Sequence, residues 1–205
     1  NECIGGLDYA SLKDFAAVGL LFRSGDDYIW KTHSFARKEF LDKYKLKPPI
    51  HEWEKKGLLT IVDEPTINPK HIIDWFIEAQ KNYGLQKVVA DNFRMDLLRP
   101  LFEDAGIEYE VIKNTRAIQS LLAPRVEDMF AQHHLIFGDN PLMRWYTQNV
   151  AVKIRKDGNK EYEKKEPIRR KTDGFQAFIH ALYRADDLKD SNLEEEINLL
   201  RSLRF

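Results

Sequence analysis

Apolar positions in this chain fall in short runs separated by turn signals. "CIGGLDYA" (3–10), "FAAVGLLFR" (15–23) and "YIWKTHSF" (28–35), the last two joined through Ser-Gly-Asp-Asp, predict three consecutive antiparallel strands. "RKEFLDKY" predicts a short helix, Pro48-Pro49 a break, and "LLTIV" (58–62) another strand. Asn68 before Pro69 supplies a helix cap and a first-turn proline, and Ile72, Ile73, Phe76 and Ile77 keep helical spacing up to Gly84. "KVVAD" (87–91) then predicts a strand, "MDLLRPLFEDAG" a helix with an irregularity at Pro100, and "YEVIK" (109–113) a strand. Beyond Thr115 a helix runs to about Gln132, "LIF" (135–137) is short and apolar, and Asn140-Pro141 opens a further helix. "VAVKIRKDGNKEYEKKE" alternates on either side of Asp157-Gly158, the signature of a β-hairpin. "KTDGFQAFIHALYRAD" (171–186) spaces Phe175, Phe178, Ile179 and Leu182 as one helical stripe. Three antiparallel strands followed by βαβα units make an α/β fold with a mixed sheet, helices on its faces and a basic hairpin. Sites in such sheets gather where strands end.

Length and composition narrow the picture. With 205 residues, the expectation is one domain over 1–186 and an acidic tail over 187–205, in which Leu193, Ile197, Leu199, Leu200 and Leu203 have amphipathic-helix spacing. A formal net charge of -1 excludes a chain that is basic throughout, so any nucleic-acid site is local. One cysteine, Cys3, excludes an internal disulfide framework and a multi-cysteine zinc site, and fits a reducing, cytoplasmic setting. "FAAVGLLF" (15–22) is far shorter than the about 18 residues of a membrane span, which leads to the expectation of a soluble protein. The chain opens on Asn directly at a strand, as a fragment of something longer would.

The candidate chemistry lies in carboxylates. Asp8 and Asp91 each end an apolar run, where a charge is costly unless it has a partner. Asp173 opens the last long helix, with Ala177 and His180 one and two turns on, and Asp14 follows Asp8 by six residues. Three carboxylates held together repel and raise one another's pKa unless a cation neutralises them. Oxygen ligands without a Cys or His cluster favour Mg²⁺ or Mn²⁺ over zinc, and two such ions activate water in phosphodiester hydrolysis. The plainer reading is that Asp173 merely caps its helix and the others are solvated charges. His180 reads as a helix-face histidine, and His33, His51, His71, His133 and His134 show no metal-ligand spacing. Between Arg144 and Lys171, ten Lys/Arg stand against four acids, either a phosphate-binding patch or a solvated Lys/Glu hairpin.

"GGLDYASLKDFAAVGLLFR", "VVADNFRMDLL" and "RRKTDGFQAFIHAL", in that order, resemble the three signature blocks of the nuclease domain of tailed-bacteriophage terminase large subunits, which has a ribonuclease H-like fold. The resemblance spans residues 3 to about 186. It implies catalytic metal ligands at Asp8, Asp91 and Asp173, a supporting acid at Asp14, and a pair of Mg²⁺ or Mn²⁺ ions. It further implies cutting of concatemeric double-stranded DNA at the start and end of packaging, with Lys153, Arg155, Arg169, Arg170 and Lys171 on the DNA backbone. Asn92 and Phe93 replace the family's usual Pro-aromatic pair, and Thr172 an aliphatic, but no carboxylate is lost. The family's amino-terminal packaging ATPase has no counterpart, since no G-x-x-x-x-G-K-[ST] loop occurs here. The implied partners are therefore that ATPase, the portal and the small terminase subunit, met in the host cytoplasm at the procapsid portal; the tail docks either on this domain or on such a partner. The rival readings are a junction resolvase or transposase core using the same acids, and a non-catalytic DNA or portal docking module. An actin-like ATPase half fits poorly, because "DYASLKD" lacks the phosphate-loop glycine.

Overall fold

Glycines in the first two strands decide how closely the layers of this protein approach one another. In the computed structural model, which describes residues 1–191, 193, 197, 198, 200 and 201, strand β1 (Glu2–Asp8) runs antiparallel to β2 (Ala16–Ser24), which runs antiparallel to β3 (Asp27–Arg37). A side chain at Gly5 would press on Phe76 and Val88, and one at Gly6 would overlap the Ala177 carbonyl. Adjacent strand residues point to opposite faces, so β1 is pinched between two helices, one on each side. Gly19 on β2 likewise leaves its place to the Trp30 ring.

The remaining elements follow as helices α1 (Lys38–Lys43) and α2 (Ile50–Lys55), strand β4 (Leu59–Val62), α3 (Pro69–Asn82), β5 (Gly84–Asp91), α4 (Met95–Asp104) and β6 (Tyr109–Ile112). Then come α5 (Thr115–Ala131), β7 (Leu135–Ile136), α6 (Pro141–Gln148), the hairpin β8 (Val150–Ile154) and β9 (Lys160–Lys164), and α7 (Asp173–Leu182). The main sheet has the order β4-β3-β2-β1-β5-β6, with β7 also pairing to β3. β5 and β6 join β1 in parallel, and β4 and β7 join β3 in parallel, so the sheet is mixed, as the sequence pattern predicts.

Helices α3 and α4 cover one face through Ile72, Ile73, Phe76, Leu98 and Phe102. On the other face lies α7, of whose ten residues only Gln176 is not buried, because α5, α6 and the hairpin close over it. A helix that is apolar nearly all round belongs in such a place. Gly174 makes room for the Tyr146 ring of α6, and Tyr146 shares a buried 2.7 Å hydrogen bond with Ser34 of β3. Asn68, Asn114 and Asn140 cap α3, α5 and α6, each accepting a backbone N–H.

Two expectations are corrected. Pro48-Pro49 does not merely break the chain: Pro49 precedes helix α2, which buries Ile50 and Trp53. Helix α7 is also shorter than 171–186, starting at Asp173 and ending at Leu182, with a separate 3-10 turn at Ala185–Asp187. Of the tail, Leu193 and Ile197 are buried against the α3 face, and Asp190 accepts from the Gly25 amide at 2.6 Å. Leu199 and Leu203 lie outside the described residues.

Overpacking should make Gly6→Ala less stable by about 3 kcal/mol, since its neighbour is backbone, and Gly174→Ala by about 1–3 kcal/mol. Gly84→Ala, whose new methyl meets nothing closer than 3.4 Å, should stay within about 0.5 kcal/mol of wild type. Urea midpoints for the three variants check the order.

Candidate active site

Strand register alone makes neighbours of two acids 83 residues apart in the chain. Leu7 of β1 pairs with Ala90 of the parallel β5, so Asp8 and Asp91 stand side by side at the carboxyl ends of adjacent strands. In-register residues on neighbouring strands share a face. Asp8, two residues beyond Gly6, therefore faces α7, and Gly6 is where Ala177 of that helix touches down. Two residues along a strand cover about 6.6 Å and four along a helix about 6 Å. Four residues before Ala177 is Asp173, which this geometry brings to the level of Asp8. The four residues Asp8, Asp14, Asp91 and Asp173 line one pocket of about 360 Å³, with Tyr9, Phe93, Tyr162, Lys164 and Gln176 on its walls.

Asp173 is 3% exposed, and its Oδ2 is buried without a hydrogen-bond partner among the described residues. The side chain of Thr172 makes no cap bond, so this helix start is not held in the ordinary way. Burial, and then the charge of Asp14, pushes the Asp173 carboxyl up to about 7. Burial raises Asp8 well above the usual carboxylate range, and the charges of Asp173 and Asp91 add to it. Asp91 takes the amide of Phe93 on Oδ1 at 3.0 Å, across a turn that brings Phe93 to within 6.1 Å of Tyr9.

Asp14 behaves in the opposite way. Burial pushes it up, but hydrogen bonds from Lys164 at 2.5 Å and Lys171 at 2.8 Å outweigh that and lower its pKa. Burial likewise pulls Lys164 down, and the charges and bonds of Asp173 and Asp14 reverse the shift. The Lys171 side chain is 1% exposed, donates also to the Lys13 carbonyl at 2.9 Å, and lies 4.4 Å from the centre of the Phe40 ring. It is thus an interior ion-pair partner, which corrects the expectation that it faces the DNA backbone. His180, too, is more than a helix-face residue. It is 4% exposed, its Nδ1–H donates to the Leu7 carbonyl at 2.7 Å, and burial holds its pKa down against the charge of Asp91.

The remaining expected backbone contacts divide into two kinds. Lys153 pairs with Glu163 at 3.1 Å and Arg155 with Glu161, so these hairpin cations are met by the hairpin's own acids. Arg169 and Arg170 are exposed and form no side-chain hydrogen bond or close ion pair among the described residues. Tyr162 and Lys164 join the pocket without any motif to announce them, although alternation along β9 puts both on one face.

Among the described residues no three His, Cys, Asp or Glu side chains already form a ready ligand set for a metal ion. The donors are nonetheless of the right kind for a hard divalent cation, being all carboxylate oxygens, with the unpartnered Oδ2 of Asp173 among them. No helix among the described residues is long and apolar enough to cross a membrane.

Comparison with known proteins agrees with this geometry. No curated protein matches the chain by sequence. Among solved structures, the large terminase of bacteriophage HK97 superposes with a TM-score of 0.79 at 16% identity, over 90% of this chain and 39% of that one. The large terminase nuclease of thermophilic phage G20c gives 0.61 at 12% identity, over 91% and 82% of the two chains. A second structure of the G20c nuclease, with bound magnesium, gives 0.60 at 12% identity over 90% and 81%. At these identities the likeness establishes the fold, a ribonuclease H-like mixed sheet flanked by helices, and the chain spans well under half the length of the HK97 protein. Residues 2–188 match the family described as "Terminase large subunit, endonuclease domain", and the chain belongs to that family.

Proposed function

We propose that this domain is a divalent-metal-dependent endonuclease that hydrolyses phosphodiester bonds of concatemeric double-stranded DNA when packaging starts and ends. The carrying observation is the crowding of Asp8, Asp91 and Asp173 at one strand end, with two of the three carboxyls pushed up by burial and mutual charge. Asp8, Asp91 and Asp173 would hold Mg²⁺ or Mn²⁺, most simply as two ions, which supply an activated water and stabilise the leaving oxygen. The G20c nuclease has been crystallised with magnesium and with cobalt, in keeping with such a donor set. Lys171 holds Asp14 in place from below, and Lys164 reaches the same acid from the hairpin. His180 fixes the end of β1 through the Leu7 carbonyl, one residue before Asp8. Arg169 and Arg170 provide positive charge for the DNA backbone, and Lys153 and Arg155 add to it only where phosphate displaces their glutamate partners. In the intact protein the partners would be an amino-terminal packaging ATPase, the portal and the small terminase subunit, at the procapsid portal in the host cytoplasm. The large terminase of another thermophilic bacteriophage, a structural relative at 12% identity, was crystallised with ATP-γ-S.

Plasmid cleavage with Mg²⁺, Mn²⁺ or EDTA tests the reading. Cutting should require metal and be lost in Asp8→Asn, Asp91→Asn and Asp173→Asn, each checked for folding; metal-independent or unaltered cutting would defeat it. Stability gives a second check. The folded pKa of Asp173, about 7, lies above the ordinary unfolded value of about 4, so its stabilising protonation is complete below about pH 4 and lost as pH rises through 7. In EDTA, wild type should therefore lose melting temperature between pH 5 and 8 relative to Asp173→Asn, and Mg²⁺ or Mn²⁺ at pH 8 should restore wild type alone. Lys171→Met removes one of the two lysines on a half-buried Asp14, leaving Lys164, and should cost about 1.5–3 kcal/mol in urea unfolding, with the salt dependence of duplex binding unchanged.

A further inference from the structure

We propose that a second groove, lined by Lys47, Trp145, Gln148, Asn149, Arg169 and Arg170, carries the DNA strand away from the acid pocket; this rests on the nuclease reading above. The groove measures about 470 Å³. Its three cations come from two distant parts of the chain, Lys47 from the segment between α1 and α2 and the arginines from the segment before α7. All three are exposed, and none has a side-chain hydrogen bond or close ion pair among the described residues. Three of the hairpin cations differ, since Lys153, Arg155 and Lys160 are each matched to a glutamate, while Lys156 at the turn is exposed like the groove's cations. One acid borders the groove, Glu166, and its two carboxylate oxygens accept the backbone N–H groups of Ile168 and Arg169. The charge of Glu166 offsets part of Arg169's, but with three cations against one carboxylate the recess keeps a net positive charge, the condition for exchanging bound counterions for phosphates.

Its position relative to the acids is fixed by a buried link. Asn149, 1% exposed, donates from Nδ2 to the Lys171 carbonyl at 2.8 Å, and the chain continues through Thr172 to Asp173. Thr172 lines the acid pocket and Arg170 the groove, so only this short segment separates the two. Three extended residues reach about 10 Å at most, or about three base steps of a duplex at 3.4 Å each. A strand with one phosphodiester at the acids therefore meets Arg170, Arg169 and Lys47 within the next few phosphates. Trp145 is held against Phe15 and Trp53, with ring centres 6.2 and 5.9 Å away, and offers a rigid wall to the sugars. No base edge is read by such a set, so the contact is sequence-independent.

The test is fluorescence anisotropy of a mixed-sequence 30-base-pair duplex in EDTA over a salt series, alongside Mg²⁺-dependent plasmid cutting. Lys47→Glu, Arg170→Glu and the pair are compared with wild type and with Lys81→Glu, an exposed lysine of α3 on the opposite face of the sheet. Trp145 is left intact because it packs on the core. Each groove variant should weaken binding roughly fivefold or more, flatten the log–log salt slope by about 0.9 for each phosphate no longer neutralised, and slow cutting in parallel, with melting temperature and Mn²⁺ binding unchanged. Groove variants that bind and cut like wild type and Lys81→Glu would overturn the groove while leaving the nuclease reading standing. A wild type that neither binds duplex nor cuts with Mg²⁺ or Mn²⁺ would overturn both.

Discussion

The site depends on one close contact, the seat of helix α7 on strand β1 where Gly6 meets Ala177. A side chain at position 6 would lift the helix off the sheet, and Asp173 would then no longer stand level with Asp8. Small residues keep that seat on both sides of the helix: Ala181 also lies over Gly6, and Gly174 admits the ring of Tyr146. Tyr146 is in turn fixed to β3 through Ser34. The height of Asp173 above the sheet is thus set by packing that runs from β3 through α6 to α7. None of these contacts involves a carboxylate, which is why they can hold repelling carboxylates together.

Charge is distributed unevenly across the four acids. Two lysines converge on Asp14, whereas among the described residues Asp8 and Asp173 have no cation bonded to them and their pKa values rise. The unequal treatment has a cost, because a buried carboxyl without its hydrogen-bond partners destabilises the fold by kilocalories. A proton relieves that energy at low pH, and at higher pH a hard divalent cation, which takes carboxylate oxygens, would relieve it without rearranging the backbone. The two lysines also differ in kind. Lys171 belongs to the interior, with 1% of its side chain exposed, while Lys164 comes from the end of a hairpin strand with 26% exposed.

Much of this was legible in the sequence, for reasons that differ by residue. Asp8 and Asp91 announced themselves because each ends an apolar run, where a charge needs an explanation. Their adjacency was not legible, since Asp8 and Asp91 lie 83 residues apart and no local pattern encodes register between distant strands. Asp173 could be placed on a helix start but not over Asp8, because that rests on a glycine contact between two elements. Helix α2 was missed because two prolines obscured a helix only six residues long, whose inward pattern is just Ile50 and Trp53. Lys164 was hidden by its company, a hairpin in which Lys153 and Arg155 do pair with the hairpin's own glutamates.

The run Arg169-Arg170-Lys171-Thr172-Asp173 shows why charge counted along a chain misleads about charge in space. Five consecutive residues pass from the exposed surface to almost complete burial. The first two cations keep their water and are free to exchange counterions for phosphate. The third has lost its water and is held by Asp14, the Lys13 carbonyl and the Phe40 ring, so it has little left to offer a ligand. An ammonium on a flexible stem can be buried this way when it meets a carboxylate and a carbonyl, while a guanidinium with five donors is harder to satisfy in the same space. The order Arg-Arg-Lys therefore matches the descent from surface to core, with the groove's cations and the pocket's clamp joined end to end in one segment.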